Sequence, residues 1–419
     1  MGEGGADLGA SVPAHACAGE ANGVGFASGC VTFRRFFLTG DHPSAAEAEW
    51  LEPVRLHAFG RNGVAGIDGI ETGWIRPTHL FDVKFDDLDA LRVGRFVYLA
   101  MRLDRTAPPA AIVRSYRLQE EAAALEASGR DFLSKAERRQ AREAAEARAE
   151  EEARDGAFRR TAAFSVLFDP GDGVCYLGNT SNKVAEKFME LVSDTFKLTL
   201  APATPGELGL RLAERAGLAD AWDQVKPSYL CDPPQSDAEL EFDPGRDYLG
   251  REFLLWLWYR CADDEGEVAL SGATDVQIAI QKTLQMACPW DVTGRTAVRR
   301  DDPSAAPEAR AALAIGKFPT RMGLMVAARA DEWALTLDGR TAGVSSAALP
   351  ASDEKDKDAW LEERFMRLRE LSRILDGLYG EFIRRRLAAS WRGEWDGISR
   401  WAMHRNGPTS SAAPKLATA

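Results

Sequence analysis

Pairs of arginines set beside aromatic rings are the residues of this chain best suited to chemistry, and that chemistry is contact with phosphate. Arg34 and Arg35 lie between Phe33 and Phe36, Arg159 and Arg160 follow Phe158, and Arg299 and Arg300 stand ahead of a short helix-forming stretch. A guanidinium offers a planar fork of donors that matches a phosphate oxygen pair. Taken singly, each pair is more often solvated surface charge, so their positions in the fold decide their meaning.

Residues that would carry catalysis are scattered. The five histidines (His15, His42, His57, His79, His404) have no neighbour at metal-ligand spacing. The six cysteines (Cys17, Cys30, Cys175, Cys231, Cys261, Cys288) form no CxxC and are expected to be reduced, buried or incidental thiols. GNTSNK at 178–183 lacks the glycine spacing of a phosphate loop, and GVGFASG at 23–29 has no strand before it. DPGDG at 169–173 lacks the later acidic ligands of a calcium loop and reads as a hairpin turn. Neither HExxH nor GxSxG occurs. Asp263, Asp264 and Glu265 suggest nuclease carboxylates, but no lysine pattern accompanies them and an acidic loop is the better reading. The expectation is a non-enzyme with no cofactor and no metal.

Length and charge bound the remaining choices. A chain of 419 residues with 45% hydrophobic and 28% charged residues can bury a substantial core. The net charge of −12 excludes a uniformly basic nucleic-acid coat. It leaves room for a local basic surface on an acidic body. Residues 1–30 are Gly/Ala-rich, with no Lys or Arg before Arg34, and are expected to be a disordered extension without a secretory signal. The densest apolar run, 253–259, is too short to span a bilayer. A soluble, cytoplasmic protein with no membrane partner is expected.

The elements that must position the arginines follow from periodicity. VTFRRFFL at 31–38 and RFVYLAMRLDR at 95–105 have strand composition. Pro108 and Pro109 open a helix that Gly129 interrupts. Ser134 and Glu137 form a capping box, and the charged helix behind it runs to about Asp155, with Arg139/Glu143 and Arg142/Glu146 spaced for ion pairs. A helix polar all round must project or bridge. AFSVLF, the DPGDG turn and VCYLG make a hairpin, and Val184, Phe188, Leu191 and Val192 stripe the next helix. Strand, hairpin and long helix then recur, the last with Leu361, Phe365, Leu368, Leu371, Leu375, Leu378 and Phe382 in step. The fold class is α+β: two related halves, each of a β-hairpin or sheet with a helix, and a projecting charged arm. The boundaries are a disordered 1–30, an N-terminal half at 31–205 with the arm at about 110–156, an inserted connection at 206–248, a C-terminal half at 249–390, and a Trp/Arg-rich segment with a disordered tail at 391–419.

The order of these features resembles the recombination-associated RdgC family. The matching elements are VTFRRF, GWIRP, RFVYLAMRLDR, LSKAERR, AFRR with its hairpin and helix, VRRDD to AIGK, and the final long helix, over residues 31–390. The resemblance implies a non-catalytic protein whose ring-shaped homodimer encloses DNA without reading sequence, and which antagonises RecA in homologous recombination at the nucleoid. It implies duplex as the partner, with single strands also bound. It places Phe158 at the dimer contact, Arg299 and Arg300 in the DNA-facing loop, and Arg130 near a basic position at the start of the charged helix. With Arg159 and Arg160, these are the expected DNA-binding residues. The chain departs from the family at Asp301 and Asp302, at 206–248 and after 391. The alternatives are a metal-dependent DNA-processing enzyme and a protein-interaction scaffold without nucleic acid.

Overall fold

The computed structural model describes residues 25–61, 69–231, 245–263, 266–270 and 274–404. Residues 1–24, most of the 206–248 connection's second half (232–244), Asp264, Glu265 and the tail from 405 lie outside the described residues. Helix makes up 44% and strand 26%, a mixed α+β chain built on a large antiparallel sheet.

The N-terminal elements are β1 (Val31–Thr39), α1 (Leu51–Leu56), β2 (Ile70–Ile75), β3 (Arg92–Val93), β4 (Phe96–Thr106), α2 (Ala110–Ser128), α3 (Lys135–Arg154), β5 (Arg159–Asp169), β6 (Val174–Leu177), α4 (Asn182–Phe196) and β7 (Thr199–Pro202). After α5 (Pro205–Arg215) and α6 (Ala219–Asp223) come α7 (Tyr248–Asp263), β8 (Glu267–Leu270), β9 (Thr274–Ala287), β10 (Thr296–Arg299), α8 (Pro307–Ala314), β11 (Phe318–Ala328), β12 (Asp331–Asp338), β13 (Val344–Ala348), α9 (Lys357–Arg386) and α10 (Trp391–Met403). The sheet runs β10-β9-β11-β12-β13-β1-β6-β5-β4-β2, with β3, β7 and β8 pairing at its flanks.

β1 joins the halves. Its start pairs with β13 (Val31 opposite Ala347, Phe33 opposite Val344), and its middle pairs with β6 (Arg34 opposite Leu177). Alternation sends Phe33 to one core and Phe36 to the other. The first core holds α7, α9 and α10 against the sheet; the second holds α4 and α1 around Trp50, Trp74, Phe168 and Phe188. α9 crosses between halves, with the Phe365 ring 5.8 Å from Phe96 and 4.8 Å from Tyr98.

Three boundaries differ from expectation. Order begins before Val31: Phe26 is buried, and its backbone N–H donates to Ser165 Oγ at 3.2 Å. The 206–248 region is core in its described parts, since Leu208, Ala213 and Trp222 are buried and Tyr379 donates to the Pro205 carbonyl at 2.7 Å. The Trp/Arg segment is helix α10, with Trp391, Ile398 and Ala402 buried and Glu394 accepting from Trp256 Nε1 at 3.0 Å. Trp and Arg read as surface residues in sequence, but at helical spacing the rings cover the core while the guanidiniums reach outward. Among the described cysteines, Cys30 is disulfide-bonded and not reduced, whereas Cys175, Cys231, Cys261 and Cys288 are free thiols.

Helix α7 reaches its depth because Gly250 has no side chain: a Cβ there would stand 1.9 Å from the Gly339 carbonyl oxygen and 2.7 Å from Pro205. Gly250→Ala is expected to destabilise by about 1–3 kcal/mol through overpacking. Urea denaturation checks this; an unchanged midpoint would mean that the helix can withdraw without loss.

Candidate nucleic-acid interface

The charged helix does not stand alone. α2 and α3 form an antiparallel hairpin between β4 and β5, whose ends pair at Thr106 and Arg159. α2 buries no residue, and α3 buries only Ala141, Ala145, Ala149 and Ala153, a stripe at spacing of four against its partner. The helix is therefore not polar all round: alanine is small enough to let two helices approach and is easily overlooked beside so many charges. Tyr116 donates to Glu152 at 2.5 Å while Arg148 lies 4.0 Å over the Tyr116 ring. The capping box is present, with Ser134 Oγ accepting from the Glu137 amide and Glu137 accepting from the Ser134 amide at 2.8 Å.

Phe158 sits at the root of this arm, not at its tip. It is half-buried with φ 64°, a left-handed conformation that a bulky residue rarely adopts. The exposed ring at the tip is Phe132, 79% accessible, in the turn between α2 and α3. Arg130 occupies the same turn and pairs with Glu137.

The two arginines after Phe158 have opposite fates. Arg159 Nε lies 2.6 Å from Asp104 Oδ2, and a second nitrogen lies 3.2 Å from Glu71. Arg102 also grips Asp104, at 2.8 and 2.7 Å, and stacks 4.1 Å over Phe59 and 5.2 Å from Phe81. Burial works to raise the Asp104 pKa, but the bonds from Arg102, Arg159 and Thr161 outweigh it and hold the carboxyl below its ordinary value. Arg159, with its side chain 46% exposed, is thus engaged by the buried Asp104. Arg160 is exposed on the other face, with no ion pair among the described residues.

Arg299 and Arg300 are both exposed at the free edge formed by β10. Their neighbour is Lys282, which the sequence reading did not single out. The Arg300 amide donates to the Lys282 carbonyl, and the Lys282 amide to the Asp301 carbonyl, each at 3.2 Å. Lys282 has φ 61° and sits in a bulge of β9: between the pairs Ile280–Leu324 and Leu284–Met322, three residues of β9 oppose one of β11. Gly323 allows it, since a Cβ there would lie 2.0 Å from the Gln281 carbonyl oxygen. A lysine at an inward position of an otherwise apolar alternation (Val276, Ile278, Ile280, Leu284, Met286) was the available signal for a bulge. None of the three cations has an ion pair among the described residues. Asp302 does not neutralise them; its carboxylate accepts from Ser304 and Ala305 to start a short turn.

Other basic residues flagged by sequence have partners within the fold. Arg35 binds Asp376 with two nitrogens, at 2.8 and 2.6 Å, and Arg34 donates to Asn182 at 2.7 Å. Arg384 and Arg385 share Glu381, each at 2.7 Å, and Arg386 binds Glu252 at 2.7 Å. Arg160 and the group of Lys282, Arg299 and Arg300 thus fall into separate places. Arg160 and Arg299 are seven interstrand steps apart in sheet order, roughly 34 Å along the sheet at about 4.8 Å per step. One copy does not bring them together.

No group of His, Cys, Asp and Glu able to hold a metal occurs among the described residues. Asp263 ends α7, and its two acidic neighbours lie outside the described residues. No helix among the described residues is long and apolar enough to cross a membrane. No family model matches the chain, and no curated protein matches it either.

Proposed function

We propose that this chain is a non-catalytic, sequence-independent DNA-binding protein that forms a ring-like homodimer around DNA and modulates RecA-dependent recombination at the nucleoid. The observation that carries this reading is the segregation of its cations. On a chain of net charge −12, Arg35, Arg159 and Arg386 are held by acids of the fold, while Lys282, Arg299 and Arg300 stand together at the β10 edge, and Arg160 at the root of the arm, exposed and without ion pairs among the described residues. The ordered motif likeness to the RdgC family supports it. Separation of the basic groups across the sheet suits a binding surface completed by a second copy, and a two-fold dimer with two interfaces per subunit would close into a ring. Phe158 is the proposed contact at one joint.

Binding without base contacts draws its affinity from counterion release, so it falls steeply with salt. Titration of a mixed-sequence duplex at two salt concentrations tests this. Binding that is absent at low salt, or indifferent to salt, overturns the proposal; cleavage of the duplex with magnesium would favour a DNA-processing enzyme. Sedimentation of Phe158→Ala tests the joint: losing the burial of one ring, worth about 2–3 kcal/mol, should shift the protein toward monomer. An unchanged sedimentation coefficient removes Phe158 from the interface.

A further inference from the structure

Arg105 and Arg160 face each other directly across the β4–β5 ladder where the two strands run into the arm. Opposed side chains on an antiparallel pair have Cβ atoms only about 4.5–5.5 Å apart, and like charges there repel. Both guanidiniums are exposed, and neither has an ion pair or side-chain hydrogen bond among the described residues. The opposite face of the same ladder is resolved differently: there Asp104 neutralises Arg102 and Arg159, with Glu71 beside it. Around Arg105 and Arg160 the same-face neighbours, Ile70, Thr72, Leu103 and Ala162, are all uncharged.

The pair is also held in place. The Thr106 amide donates to the Gly69 carbonyl at 3.0 Å, and Gly69 (φ 69°) and Phe158 (φ 64°) both turn the chain in left-handed conformations beside it. A repelling pair fixed on the β2-β4-β5 strands, with no acid of its own among the described residues, is a site for an external anion. Two forks converging from opposite strands match the tetrahedral oxygens of a phosphate group.

We propose that Arg105 and Arg160 together clamp one stretch of nucleic-acid phosphate at the root of the arm, a second contact region distinct from the β10 edge. The proposal rests on the DNA-binding reading above. It also separates neighbours that look alike in sequence: Arg160 binds ligand, whereas Arg159 holds the fold.

The test uses the full chain and its Arg105→Gln/Arg160→Gln variant, with anisotropy of a labelled mixed-sequence duplex over a salt series. Loss of two phosphate contacts should lower the slope of log affinity against log salt by about 1.8, with the melting midpoint equal or higher because the repulsion is gone. An unaltered slope in the variant, with steep salt dependence in the wild type, overturns the clamp and leaves DNA binding standing. A lowered melting midpoint also overturns it, since the pair would then be structural. If the wild type fails to bind duplex, the DNA reading falls and inorganic phosphate decides the clamp. Stabilisation of the wild type but not the variant by phosphate, against chloride at equal ionic strength, retains an anion site; equal responses remove it.

Discussion

Arg386→Met is expected to lower stability by about 3–5 kcal/mol, the range for stranding one member of a buried ion pair. Glu252 on α7 has a side chain with 0% exposure, and Arg386 at the end of α9 has 8%. The carboxylate accepts from Arg386 Nε and from the Ser228 amide, each at 2.7 Å. Arg386 also donates to the Lys226 carbonyl and to Ser228 Oγ at 3.2 Å, and lies 5.1 Å from the Trp391 ring. One guanidinium therefore ties α7, the segment before it and α10 to the long helix. Methionine keeps the apolar stem and deletes the charge, so the loss reads the uncompensated carboxylate more than a cavity.

The pH dependence has a definite sign. Burial already pushes the Glu252 pKa up against the pull of Arg386, and removing Arg386 pushes it further. A carboxyl with a folded pKa above its unfolded value contributes stability below the unfolded pKa and loses it as pH rises through the folded one. The deficit of Arg386→Met should therefore shrink on acidification, and Arg386→Met/Glu252→Met should recover most of it. Denaturation midpoints of the wild type and the two variants at pH 7 and pH 5 check this. A single variant as stable as wild type at pH 7 would show that the pair contributes nothing.

Replacing Lys282, Arg299 and Arg300 together by alanine is expected to cost about two orders of magnitude in duplex affinity at 0.15 M salt. Three lost phosphate contacts at about 0.9 released counterions each lower the salt slope by about 2.7, which gives that factor. All three residues are exposed and unpaired among the described residues, so the melting midpoint should hardly move. Arg159→Ala should do the reverse: its loss weakens the clasp on Asp104, lowering the midpoint while sparing the slope. A triple variant with wild-type slope and affinity would move the DNA contact away from the β10 edge.

Much of the fold was legible because it obeys local rules. VTFRRFFL, with its strand composition, is β1, the box of Ser134 and Glu137 opens α3, and the stripe of α9 is buried from Phe365 to Phe382. The apolar run at 249–260 was correctly core, although apolar on every side it could not declare itself helix; it is α7. β13 was missed, because VSSAA is short and polar and is a strand only through pairing with β1 and β12. The alanine stripe of α3 was hidden because alanine carries little hydrophobic signal, and α10 was read only as a Trp/Arg-rich segment, with no element assigned.

The candidate site divides along the same line. Where arginines occur and which have an aromatic neighbour could be read residue by residue. Whether an arginine is available to a ligand could not. Arg35 meets Asp376 across 341 positions, Arg386 meets Glu252 across 134, and Arg159 meets Asp104 across 55, whereas Arg160, one residue further on, meets no acid among the described residues. A side chain's charge is a covalent property, present in any conformation. Its neutralisation is a matter of distance between strands and helices remote in the chain, and only the folded structure assigns it.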